Sequence, residues 1–207
     1  MQTDTPTPAT APAKTDPRAS RSSAALRRAI LHLAELQPLA SITVDQVVTE
    51  AKVSRKTFYN HVGNPTELLA AALTEELDHV RVRMDRGLAS NTSDLAALSR
   101  VRLGEIVEHI LLRRRIYQQP DGHIQPQLFR LLADHFYEAI RYSLTQQLRQ
   151  LPTTGPQPGL ADIHAGFVAH AYAGAIDAWL PHADTISPDT FLTEVIRSLP
   201  DWMTTRR

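Results

Sequence analysis

The sequence contains no cysteine, which excludes disulfide bonds, thiolate metal sites and a cysteine nucleophile. It also has no net charge, because 22 basic side chains balance 22 acidic ones. No global field therefore draws the protein to nucleic acid, and any DNA contact has to be local. Only 6% of the residues are aromatic and eight of 207 are glycine. Because alanine and leucine dominate the long runs without glycine, we expect an all-α fold with a buried core.

The N-terminal 19 residues contain four prolines and no apolar stretch. This composition predicts a disordered arm rather than a secretory signal. No later run is apolar enough to span a membrane, so the expected location is the cytoplasm.

The motifs of common enzyme classes are missing as well. The sequence has no His-Glu-x-x-His, no Gly-x-Ser-x-Gly and no glycine-rich phosphate loop. Glu105 with His109, and His135 with Glu138, share predicted helical faces, but one pair is too few for a metal site. We therefore expect no enzymatic activity, no metal and no cofactor.

Helical periodicity starts near residue 20, where Leu26, Ile30, Leu33 and Ala34 form one apolar face of a helix that Pro38 ends. A long helix is predicted from residue 65 to about residue 86. Further helices are predicted at about residues 94–117, 125–151, 160–180 and 188–203. The run of three arginines at 113–115 is interpreted as the basic last turn of its helix, which the helix dipole favours.

Residues 41–61 carry the same helix-start pattern twice. Thr43 with Gln46 forms a capping box, and Ser54 can cap a second helix three residues after the first. The flanking apolar residues fall at hydrophobic-staple positions: Ile42 with Val47, and Val53 with Phe58. A turn this short sets two helices at a steep angle, so that the second can enter the major groove of DNA.

The second helix of this pair has side chains suited to reading DNA. Arginine and lysine reach guanine, asparagine pairs with adenine, and threonine, tyrosine and histidine suit thymine or phosphates. Seven basic residues against three acidic ones between residues 18 and 62 leave a local excess of four positive charges. The alternative is a merely solvated polar helix. The candidate DNA-binding residues are Thr43, Ser54, Arg55, Lys56, Thr57, Tyr59, Asn60 and His61, and the arginines at 18, 21, 27 and 28 can follow the DNA backbone.

Residues 42–69 resemble the N-terminal signature of the TetR (tetracycline-repressor-like) family of regulators. The matched positions are Thr43, Ala51, Val53, Ser54, Thr57, Phe58, Tyr59 and His61. The resemblance implies that Thr57 and Tyr59 contact DNA. It also implies a three-helix DNA-binding domain, here residues 20–64 after an arm of residues 1–19, and a larger helical regulatory and dimerisation domain, here residues 65–207. Many family members carry a lysine at the start of the fourth helix, where this chain has Asn64, Pro65 and Thr66; backbone amides there can still bind a phosphate.

Small residues recur along residues 160–180, where only Asp162 and Asp177 are charged. They are Ala165, Ala169 and Ala173 on one face and Gly166, Gly174 and Ala178 on the next. Such a helix is too apolar to be half exposed on a monomer. We therefore expect a homodimer through residues 160–180 and 188–203. Two recognition helices one turn of DNA apart, roughly 34 Å, would then read a palindrome.

Polar groups that interrupt apolar stripes mark a possible effector pocket. The candidate ligand-binding residues are His109, His135, Tyr137, Phe167 and His170, although a lone histidine on an apolar face is more often a core residue. The expected function is a transcriptional repressor that a small molecule releases from its palindromic operator. The alternative is a helical ligand-binding or scaffold protein that has lost DNA binding; against it, Arg55, Lys56 and Asn60 are all present.

Overall fold

The computed structural model describes residues 17–87, 95–147 and 159–204, and these residues are mostly helical. The helices are α1 (Pro17–Leu36), α2 (Val44–Ala51), α3 (Arg55–Tyr59), α4 (Pro65–Gly87), α5 (Leu95–Leu112), α6 (Arg114–Tyr117), α7 (Pro126–Gln147), α8 (Ala161–Trp179), α9 (Pro188–Arg197) and α10 (Asp201–Thr204). Across these three ranges, strand pairing is limited to a single antiparallel bridge between Gln118 and Ile124. The expected all-α fold is confirmed. Within the same ranges, no helix combines the length and the apolar character needed to cross a membrane.

The helix starts around the predicted DNA-binding segment form through the predicted caps. The Thr43 hydroxyl accepts a hydrogen bond from the Gln46 N–H at 3.3 Å, and the Gln46 side chain accepts one from the Thr43 N–H at 2.8 Å. The Ser54 hydroxyl accepts one from the Thr57 N–H at 3.1 Å. These bonds satisfy amides that a helix leaves open at its first turn, so local sequence fixes where α2 and α3 begin.

The turn between α2 and α3 depends on a left-handed residue. Lys52 ends α2 with φ 54°, a conformation that favours glycine. Its N–H donates to the carbonyls of Val48 and Thr49. This conformation closes α2 so that α3 starts only three residues later.

One continuous hydrophobic core runs from α1 to α10. At the N-terminal end, α1 packs against α2 and α4, with Leu26, Ile30 and Phe58 fully buried. Farther along, α4 packs against α5 and α7, and α7 lies along α8. Because α4 contacts both ends of this core, it connects the helix-turn-helix to the rest of the chain.

Several helix bounds differ from those expected. Helix α1 begins at Pro17, so residues 17–19 of the expected arm are helical; proline is well tolerated at a first helical position. Residues 1–16 of that arm lie outside the described residues. The helix expected at 94–117 divides at Arg113 into α5 and α6. The helix expected at 188–203 divides into α9 and α10, because Pro200 cannot donate a helical hydrogen bond.

Candidate nucleic-acid interface

Helix α3 presents its polar side chains to solvent because one aromatic residue anchors it. Phe58 is 0% exposed in the hydrophobic core, whereas the adjacent Tyr59 is 58% exposed. The two rings meet edge to face with centroids 5.4 Å apart. Of the eight predicted DNA-binding residues, seven are exposed and Thr57 is partly buried. The structure therefore brings all eight to one exposed region around α2 and α3.

Arg55, the first residue of α3, is held by a carboxylate from α2. Its Nε donates to Asp45 Oδ1 at 2.6 Å, and its Nη2 donates to Asp45 Oδ2. The hydrogen bond from Arg55 lowers the pKa of Asp45, and the same bond raises the pKa of Arg55. Sequence reasoning selected Arg55 but missed Asp45, although an acidic residue in the first turn of α2 beside a helix-turn-helix arginine was a readable signal.

Four of the other candidates already have hydrogen-bond partners in the protein, and one of them is Thr43, which bonds with Gln46 in the capping box. The His61 Nε2 lies 2.8 Å from the Ser22 hydroxyl, which ties α1 to the end of α3. The Thr57 hydroxyl lies 2.9 Å from the Ser54 hydroxyl, and Ser54 also caps α3. The last three of these hold α3 in place, whereas Lys56, Tyr59 and Asn60 extend from it.

The start of α4 is less open to a phosphate than the sequence suggested. Asn64 Oδ1 accepts from the Glu67 N–H at 2.9 Å, and Glu67 Oε2 accepts from the Gly63 N–H at 3.0 Å. A carboxylate thus lies where an anion was expected. This arrangement argues against a phosphate contact at that helix end.

The five candidate effector residues differ in burial. His109 is buried at 8% exposure, with its Nε2 3.1 Å from the Tyr117 hydroxyl and its Nδ1 3.8 Å from Glu76. Burial lowers the pKa of His109 and raises that of Tyr117. His135 and Tyr137 are half-buried on α7, whereas Phe167 and His170 are exposed on α8. Phe167 and His170 therefore do not share the interior position of His109.

Two of the arginines at 113–115 form ion pairs that the sequence did not predict. Arg113 lies between two carboxylates: its Nη2 donates to Glu76 of α4 at 2.8 Å, and its Nη1 donates to Glu35 of α1. The Arg114 Nη1 donates to Asp184 at 2.7 Å. The run does lie at helix ends, since Arg113 follows the last residue of α5 and Arg114 and Arg115 are in the last turn of α6. In addition, Arg113 and Arg114 bind carboxylates from distant parts of the chain. We call Glu35, Glu76 and Arg113 the Arg113 ion cluster.

Helix α8 has an apolar face that nothing covers within the described part of the chain. Ile163 is 68% exposed and Phe167 66% exposed. A Cβ added at Gly166 or Gly174 would meet no atom within 4 Å. Large apolar groups beside open small-residue positions are typical of a face that packs against another helix. Among the described residues, no three His, Asp or Glu side chains come together as metal ligands.

A helix-turn-helix whose second helix is exposed, joined to further packed helices, is an arrangement that many DNA-binding proteins share. No family model matches the sequence. One stretch is 36% identical over 72 residues to YxbF, an uncharacterised HTH-type transcriptional regulator of Bacillus subtilis; it covers 32% of this chain and 19% of that protein. The match thus spans about a fifth of the length of this relative.

Solved structures resemble the chain over most of its length. RolR in complex with the ligand resorcinol matches 88% of this chain and 89% of its own, with a TM-score of 0.62 and 16% identity. FadR of Bacillus halodurans, a fatty acid degradation regulator, matches 89% of this chain and 95% of its own, with a TM-score of 0.58 and 10% identity. A TetR-family transcriptional regulator of Pectobacterium atrosepticum matches 94% of this chain and 100% of its own, with a TM-score of 0.53 and 15% identity. The chain has the fold of TetR-family regulators, which confirms at the level of the fold the resemblance seen in residues 42–69.

Proposed function

We propose that the protein is a sequence-specific DNA-binding transcriptional regulator and not an enzyme. The observation that carries the proposal is α3, which exposes Arg55, Lys56, Tyr59 and Asn60 while Phe58 anchors it in the core. The likeness to an HTH-type regulator and to solved regulators supports it. The protein would bind its operator in the cytoplasm.

The regulator would act as a homodimer through residues 160–180 and 188–203. The exposed apolar face of α8 supports this part of the proposal, because a second copy would remove Ile163 and Phe167 from water. A two-fold axis there would place two α3 helices on one side of the duplex. The operator would then be a palindrome with half-sites one helical turn apart.

A small molecule would release this repressor from its operator. RolR was solved with resorcinol bound, which supports a ligand site within this fold. Of the candidates, His109, His135 and Tyr137 are the buried or half-buried ones, and we place the effector on their side of the core. Phe167 and His170 would instead lie at the dimer interface. A ligand would favour a state in which α4 has moved, and the Arg113 ion cluster would carry a change at α6 to α1 and α4.

Selection of bound sequences from a random DNA library tests this function. The wild-type protein should enrich one palindrome at a stated salt concentration, because phosphate contacts make affinity depend on salt. The variant Lys56→Ala/Tyr59→Ala should enrich nothing while keeping the melting temperature, since both side chains are exposed. Equal enrichment by both proteins would show that the DNA-binding surface is not the exposed side of α3. No enrichment by the wild type, even at low salt, would favour a helical ligand-binding protein that has lost DNA binding.

The effector is sought with the enriched palindrome as the probe. Small aromatic compounds, beginning with resorcinol, are added to the complex of protein and labelled DNA. A compound that releases the wild-type protein should have less effect on His109→Leu, which replaces the buried imidazole with an apolar side chain and removes its hydrogen-bonding groups. If both proteins are released alike, His109 is not part of the effector site.

A further inference from the structure

We infer that Asp45 sets the base preference of the recognition helix by holding Arg55 so that it reads a guanine. The inference rests on the proposed function and deepens it. The pair is defined by its geometry: two parallel hydrogen bonds run from one guanidinium to one carboxylate, across the turn between α3 and α2. Both side chains are exposed, so the pair lies at the surface that α3 presents.

The way in which the two side chains meet leaves the reading edge of Arg55 open. A guanidinium has five N–H donors in a planar fork. Asp45 takes the donor on Nε and one on Nη2. One donor on Nη1 and the second on Nη2 then point outward along the end of the fork, and the other Nη1 donor lies beside Cδ. That end matches the O6 and N7 acceptors of guanine, which is the commonest specific contact of arginine in the major groove.

The position of the pair in the fold agrees with this role. In helix-turn-helix proteins the N-terminal residues of the second helix meet the base edges, and Arg55 is the first residue of α3. Asp45 lies in the first turn of α2, where the helix dipole favours a carboxylate. An unsupported arginine has many rotamers and can bind any phosphate within reach. Asp45 reduces that freedom and repels phosphates, which favours base discrimination over non-specific affinity.

Asp45 is thus a positioning residue, and Lys56 provides the comparison. Lys56 is exposed on the next position of α3 and carries the same charge as Arg55. Its replacement should weaken binding to all sequences and reduce the salt dependence, as loss of a phosphate contact does. Replacement of Asp45 should instead change which base is preferred at one position of each half-site.

The test is the DNA selection repeated with Asp45→Ala, Asp45→Asn, Arg55→Ala and Lys56→Ala, with a melting curve for each variant. We expect the wild type to prefer guanine at one position of each half-site. Arg55→Ala and Asp45→Ala should lower the preference for guanine at that position about ten-fold. Asp45→Asn, which keeps the shape and one acceptor, should show a preference between that of the wild type and that of Asp45→Ala. The melting temperatures should stay close to that of the wild type, because Asp45 is exposed and the capping box of α2 does not use it.

The remaining outcomes overturn the inference, in distinguishable ways. If Asp45→Ala keeps the guanine preference and binds all sequences more tightly, Asp45 only sequesters Arg55 and repels DNA. If the preference changes with Lys56→Ala but not with Arg55→Ala, Arg55 is not the residue that reads the base, and if it changes with Arg55→Ala but not with Asp45→Ala, Asp45 does not position Arg55. If the wild type enriches no sequence, the proposed function itself fails, and this inference fails with it.

Discussion

At the residue scale, the two adjacent aromatic residues of α3 separate folding from DNA binding. Phe58→Ala removes a fully buried ring and should lower the free energy of unfolding by about 3 to 5 kcal/mol. Tyr59→Ala removes a largely exposed ring, so stability should change little while operator affinity falls. Thermal denaturation and DNA titration of the matched pair check both expectations. A normal melting temperature for Phe58→Ala, or unchanged affinity for Tyr59→Ala, would contradict the assigned roles.

The buried His109 predicts how stability depends on pH. Burial lowers its pKa below the value of 6.5 for a free histidine; Glu76 opposes that shift, and Arg113 and His135 add to it. The unfolded chain therefore binds this proton more readily than the folded chain. The contribution of His109 to the free energy of unfolding is complete above pH 6.5, and it is lost as the pH falls from there through the lower pKa of the folded state.

Urea denaturation between pH 5 and pH 8 tests this dependence. The substitution His109→Gln keeps a group that can bond to the Tyr117 hydroxyl but removes the titration. The difference in stability between wild type and variant should therefore shrink as the pH falls. His79→Gln is the control, because His79 is exposed on α4 and lies outside the proposed sites. A difference that stays constant with pH would show that His109 does not titrate in this range.

At the element scale, α6 is fixed to α1 and α4 by Arg113. The substitution Arg113→Met keeps the length of the side chain but leaves Glu35 and Glu76 without their shared cation. We expect the free energy of unfolding to fall by about 1 to 2 kcal/mol, the low end for hydrogen bonds to charged groups that water still reaches. Arg115→Met, at an exposed residue of the same run, should change stability little.

The same substitution tests whether the cluster couples effector binding to DNA release. An effector that acts through the cluster should release Arg113→Met from DNA less completely than the wild type. Equal release of the two proteins would exclude the cluster from the coupling.

The same helices show which features of the structure the sequence can predict and why it cannot predict the others. Capping bonds join residues three apart, as Thr43 with Gln46 and Ser54 with Thr57, so the starts of α2 and α3 were predictable. The pair of Glu35 and Arg113 joins residues 78 apart. No local pattern carries that information, and the division between α5 and α6 at Arg113 was missed together with the role of the arginines.

At the scale of the whole molecule, the fold followed from helical periodicity, but the candidate effector site did not. A histidine that interrupts an apolar stripe has the same sequence pattern whether the stripe faces the core or an uncovered surface. His109 lies in the core and His170 on an exposed helix face. Only the packing of α8 along α7 decides which face of α8 is internal. The sequence therefore predicted the recognition helix, whose signals are local, better than a pocket that depends on several helices.

The proposed dimer gives the molecule its two-fold reading geometry and can be tested without disturbing the fold of one chain. Ile163 and Phe167 are exposed on a single chain, so Ile163→Asp/Phe167→Asp should fold normally by circular dichroism. In a dimer the same carboxylates would be buried without partners, which is strongly unfavourable. The variant should therefore sediment as a monomer.

Operator binding by that variant gives the second measurement. Affinity should fall about 100-fold, because each half-site then binds one recognition helix independently. Leu112→Asp, on a fully different helix and 78% exposed, is the control and should remain dimeric with unchanged affinity. A double variant that stays dimeric would place the interface on another face of the molecule. A monomeric variant that binds the palindrome as tightly as the wild type would show that dimerisation is not needed for recognition.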